Sequence, residues 1–92
     1  MNSYWKAPGP SGSWAFTMAP TGYEAKRNIL EFQGLDGLYF DGGIEFYVIE
    51  ISRENYRKAF EVAKWQAKVE GGKEVPVYKN TFEVRIKDML DI

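Results

Sequence analysis

The 92-residue sequence contains no cysteine and no histidine. Without cysteine there is no disulfide, no thiolate nucleophile and no zinc site of the cysteine type, and the redox compartment stays undetermined. Without histidine the chain lacks the commonest general base, the commonest transition-metal ligand and the ordinary pH switch. Nucleophilic triads and cysteine–histidine pairs are therefore excluded. No apolar run approaches the ~18–20 residues that span a bilayer. The N-terminus shows no basic start followed by an apolar stretch and a small-residue cleavage site, so no signal peptide is expected and the expected location is intracellular, in the cytoplasm. Asn2, Asn28, Asn55 and Asn80 all lack Ser or Thr two positions on, so N-glycosylation is not expected.

An excess of one charge is also missing. Twelve basic residues stand against 13 acidic ones for a net charge of −1, so no global field would hold the chain on a polyanion or an acidic membrane. Any such binding has to come from a local patch. What the chain has in quantity is aromatic residues: three Trp, six Tyr and six Phe. Each can bury a large area at modest entropic cost, which suits both a small core and a binding face.

Residues 1–13 read MNSYWKAPGPSGS, and Pro8, Gly9, Pro10 and Gly12 predict a flexible arm that carries Tyr4 and Trp5. Exposed aromatics on a free arm are unfavourable, so the arm is expected to dock on its own domain or on another chain. Residues 14–92 are expected to form a single α+β domain. Trp14, Phe16 and Met18 alternate with small residues up to Pro20-Thr21-Gly22, the period of a strand. Asn28–Gln33 is expected to be a second strand. Leu38–Phe40 and Ile44–Ile51 flank Asp41-Gly42-Gly43, where Asp-Gly suits a tight hairpin, and Ile44–Ile51 is apolar on both faces like a central strand. Ser52 is a good N-cap for a helix from Arg53 to about Val69 that stops at Gly71-Gly72. Val75–Tyr78 reads as a short edge strand around Pro76, and Phe82, Val84 and Ile86 alternate with Glu83, Arg85 and Lys87 as a one-sided strand. The expected fold is α+β, an antiparallel sheet of about four to six strands packed on one long helix in the order β-β-β-β-α-β.

On that helix Tyr56, Ala59, Phe60, Ala63 and Ala67 share the side expected to face the sheet. Opposite stands Trp65, with Val62 and Val69 at i−3 and i+4. This second apolar strip needs a cover of its own: the arm, a second copy of the chain or another partner. Tyr4, Trp5, Val62, Trp65 and Val69 are accordingly the candidate partner-binding residues. Arg53, Arg57, Lys64 and Lys68 line one flank and are candidates for binding a polyanion, softened by Glu61 within one turn.

The remaining chemistry is thin. Asp36, Asp41 and Glu45 could in principle pair as acid and base or hold a hard cation, but Asp before Gly is what a turn requires. Pro8–Ser13 lacks the Gly-Lys-Ser/Thr ending of a nucleotide loop, and Gly71-Gly72-Lys73 follows a helix that it simply stops. Tyr39, Phe46 and Tyr47 could stack bases beside the basic flank, although Asp41, Glu45 and Glu50 oppose it. No enzyme, cofactor or metal is expected. The sequence points to a small binding, adaptor or regulatory protein that docks on another protein or on its own copy; the alternative is a single-stranded nucleic-acid-binding protein.

Overall fold

A computed structural model describes residues 1–9, 12–34 and 47–85. The described residues form a small α+β arrangement with a four-stranded antiparallel sheet and two helices. The elements are β1 (Ser3–Gly9), β2 (Ser13–Ala19), α1 (Gly22–Gln33), β3 (Ile49–Ile51), α2 (Arg53–Val69) and β4 (Phe82–Arg85), and the sheet order is β3-β1-β2-β4.

The N-terminal segment expected to be a loose arm is an interior strand. β1 pairs with β2 from Ser3↔Ala19 to Gly9↔Ser13 and, on its other edge, with β3 from Tyr4↔Ile51 to Lys6↔Ile49. Pro8 has no N–H to give, and it lies beyond the stretch that β3 covers. Gly and Pro argue against regular structure when read locally, but two flanking strands supply the backbone hydrogen bonds that hold this segment extended.

The second correction is α1. Residues Asn28–Gln33, expected as a strand, form the last half of a helix. Thr21 caps it, its hydroxyl accepting from the Glu24 N–H at 3.2 Å, and Thr21 with Glu24 forms the sequence pattern of a capping box. Gly34 ends it at φ 73, where a side chain would be strained, and its N–H donates to the Glu31 and Leu30 carbonyls. The described order is therefore β-β-α-β-α-β, with two helices rather than one.

Residues paired across an antiparallel ladder share a face. Tyr4, Phe16, Trp14, Ile51, Phe82 and Val84 fall on one face, and Trp5, Ala7, Ala15, Thr17 and Glu83 on the other. α2 covers the first, placing Ala59 and Ala63 against Phe16, Phe82 and Val84. α1 covers the second, where Ala7 and Ala15 are small enough to admit Ile29. The sheet thus lies between two helices. Polar groups on the α1 side are satisfied internally: the Thr17 and Thr81 hydroxyls bond each other at 2.8 Å, and the Asn28 amide donates to Thr17 at 3.2 Å.

The strand expected over Ile44–Ile51 is described only from Tyr47, and its regular part, Ile49–Ile51, is a sheet edge among the described residues with Ile49 47% exposed. The hairpin around Asp41-Gly42-Gly43 lies outside the described residues, as do Ile86 and the apolar C-terminal residues. Residues 75–78 form no strand; Tyr78 and Thr81 instead close a two-residue turn through Lys79 (φ 51) and Asn80 (φ 58), and β4 follows.

Candidate functional site

The groups that could meet a partner gather on α2. Ser52 caps the helix, its hydroxyl accepting from the Asn55 N–H at 3.0 Å, and after Val69 the chain turns off through Gly71 and Gly72. The seating side is as expected: Ala59 and Ala63 are buried, while Tyr56 and Phe60 bring their rings to 5.3 and 5.1 Å from that of Phe82. Gln66 is also buried there, accepting from the Arg85 N–H at 3.3 Å, and so ties the helix to β4. A lone glutamine among charged neighbours carried no signal of this in the sequence.

Tyr56 links the helix to the turn before β4, its hydroxyl donating to the Asn80 carbonyl at 2.7 Å. Burial, with Tyr4 beside it, pushes the Tyr56 phenol up to about 12. The neutral phenol is therefore the form the fold favours. Its contribution is complete below the unfolded value near ~10 and is lost as pH rises through the folded value. Allowing for partial solvent exposure, that loss is on the order of 1 kcal/mol. Urea unfolding of the wild type and Tyr56→Phe between pH 9 and pH 12 checks this. The wild type should be the more stable by about 1 kcal/mol at pH 9, from the hydrogen bond, and the gap should close toward pH 12. Parallel pH profiles would show that the phenol is not held neutral.

The five residues expected to form one partner surface fall in separate places. Trp65 and Val69 are 55% and 62% exposed on the outer side of α2. Val62, one turn from Trp65, packs partly into the core under the helix. Tyr4 packs its ring at a tilt against that of Tyr56, centroids 5.0 Å apart, and Trp5 lies on the opposite face of the sheet with its indole N–H donating to the Ala19 carbonyl at 3.0 Å. The N-terminal segment is thus committed to the sheet, and Trp65 remains more than half exposed.

Arg53, Arg57, Lys64 and Lys68 are all exposed. Lys64 pairs with Glu61 at 2.8 Å and lies 5.5 Å from the centre of the Phe60 ring, whereas Arg53, Arg57 and Lys68 make no ion pair among the described residues. Residues 72–80 run back beside this flank and enclose two hollows. One, of about 590 Å³, is lined by Phe60, Lys64, Lys68, Lys73, Glu74 and Val75. The other, of about 260 Å³, lies between Tyr56, Arg57 and Phe60 on the helix and Val77 and Asn80 on the returning segment. The sequence showed the cations but not the groove, because its second wall comes from the path of residues 72–80.

Other expected features are not assembled here. Tyr39 and Phe46 lie outside the described residues, and Tyr47 is 85% exposed beyond the end of β3, so no aromatic sheet platform is seen among the described residues. Asp36, Asp41 and Glu45 also lie outside them, and among the described residues no group of three potential metal-ligating side chains is found. No described helix is long and apolar enough to cross a membrane. Comparison with protein-family models, with curated proteins and with solved structures finds no match for this chain.

Proposed function

We propose that the chain is a small non-catalytic docking protein, an adaptor, inhibitor or accessory subunit, that binds another protein or its own copy through the outer side of α2. The observation that carries this reading is Trp65. A tryptophan more than half exposed, with Val69 exposed one turn on, stands on a helix whose other side is already seated on the sheet. Tryptophan is the residue most enriched at the centres of protein interfaces, where its large ring leaves water. Their exposed apolar surface is available to a partner. The absence of histidine and cysteine supports the non-catalytic part of the reading.

Trp65→Glu separates docking from folding. The substitution places a carboxylate on an exposed helix position, where stability should change by no more than about 0.5 kcal/mol. Association is expected to weaken by at least about a hundredfold, as for loss of an interface anchor. Light scattering behind size exclusion over a range of concentrations reads self-association, and capture of partners by immobilised wild type and variant reads the alternative. If the variant unfolds, Trp65 belongs to the core and the reading falls; if it associates as the wild type does, the docking surface lies elsewhere.

A further inference from the structure

The groove on the basic flank has a chemistry of its own. Helix geometry turns Phe60, Lys64 and Lys68, each four residues apart, into one row along α2, beside the side that carries Trp65 and Val69, with Lys68 one turn from Trp65. Residues 72–80 form the opposite wall, and apolar groups from both walls make the floor: Phe60 from the helix, Val75 and Val77 from the returning segment. The two hollows share Phe60, so they follow one another along the helix. Between Tyr56 and Lys68 the helix rises roughly 18 Å at ~1.5 Å per residue. An extended peptide of about five or six residues covers that length at ~3.3 Å per residue.

The charges select among extended ligands. Lys68, Lys73 and Arg57 make no ion pair among the described residues, and Lys64 stands at the same rim, paired to Glu61. The chain as a whole is at −1, so this cluster is a local concentration of positive charge. Glu74 and Glu61 also line the hollows, so the walls are not uniformly cationic as a phosphate-backbone channel is. A ligand with alternating carboxylates and apolar side chains matches both the rim and the floor.

We propose that this groove receives an extended acidic peptide segment of a partner protein, with carboxylates on Lys68, Lys73 and Arg57 and apolar side chains against Phe60 and Val75. The inference rests on the docking reading and deepens it by giving the partner's chemistry, on the groove that adjoins the Trp65 side of the helix. Its contribution to specificity comes from charge, and its apolar part comes from the floor.

The test is fluorescence anisotropy with a labelled peptide of sequence Glu-Leu-Asp-Phe-Asp-Leu, a matched peptide with lysine at each acidic position, and a labelled oligothymidylate. The wild type is expected to bind the acidic peptide, with affinity falling as salt rises. Lys68→Glu combined with Lys73→Glu should weaken that binding by about tenfold or more and create binding of the lysine peptide, since reversed charge reverses the preference. Val75→Thr, which keeps shape and charge but makes the floor polar, should weaken the acidic peptide while leaving circular dichroism unchanged, which excludes purely ionic adhesion. Trp65→Ala, which removes the ring without adding charge one turn from Lys68, should leave peptide binding intact, so failure at the groove and failure of the Trp65 surface are read separately. Absence of acidic-peptide binding, indifference to the double reversal, or tighter binding of oligothymidylate than of the peptide would each overturn the proposal; the last would mark the groove as a nucleic-acid site.

Discussion

Deletion of residues 1–9 is expected to unfold the chain. β1 is flanked by β2 on one edge and β3 on the other, so its loss strips a ladder partner from both. It also removes Ala7 from beneath α1, the Tyr4 ring from its 5.0 Å contact with Tyr56, and the Trp5 indole that bonds the Ala19 carbonyl. Each ladder hydrogen bond is worth only about 1 kcal/mol net, but several are lost together and their former partners are left to find water. A domain of this size holds on the order of 5–10 kcal/mol in all. Far-UV circular dichroism and a thermal melt of residues 10–92 decide the matter. A cooperative transition within a few degrees of the full chain would mean that β1 is dispensable, as a loose arm would be.

Phe82→Ala carries the second large effect. Phe82 is fully buried, faces Phe16 across the β2–β4 ladder with ring centroids 5.5 Å apart, and receives Tyr56 and Phe60 edge-on from α2. Truncation there removes the one ring that all three others touch. Large-to-small changes at such sites cost about 3–5 kcal/mol, from lost transfer energy and the cavity left behind. At roughly 4–8 °C per kcal/mol for a chain of this length, the melting temperature should fall by at least ~12 °C. Phe82→Leu, which keeps most of the volume, should lose less than half as much. Urea unfolding of the two variants gives the comparison, and a loss under about 1 kcal/mol for alanine would mean that α2 is held chiefly by Ala59 and Ala63.

These sites also show where local pattern informs and where it fails. β2, β4 and α2 were legible because each carries its own signal: alternation in Trp14–Met18 and Phe82–Ile86, and a Ser52 cap, an amphipathic run and a double-glycine stop for the helix. α1 was legible in principle, through Thr21, Glu24 and Gly34, but Pro20-Thr21-Gly22 also reads as a turn. The apolar group Ile29, Leu30 and Phe32 is short enough to suit either period. β1 was not legible, since what makes residues 3–9 a strand is β2 on one side and β3 some 45 residues away on the other. The same division holds for the surface. Trp65 and Val69 could be placed outside from helix geometry alone, whereas Tyr4 and Trp5 were assigned to a partner because their true neighbours, Tyr56 and Ala19, are not local.

The pairing of β2 with β4 has a consequence for how the chain comes together. β1 and β2 follow closely in sequence and can meet within microseconds, but Ser13 must find Arg85 and Phe16 must find Phe82 across most of the sequence. Closing so long a loop precedes any gain from the contact, which places the rate-limiting barrier in a search and not in the formation of either helix. During synthesis the outer edge of β2 therefore waits, unpaired and bearing Trp14 and Phe16, until β4 has left the ribosome. In that interval the chain is most open to pairing with a neighbour instead of with itself.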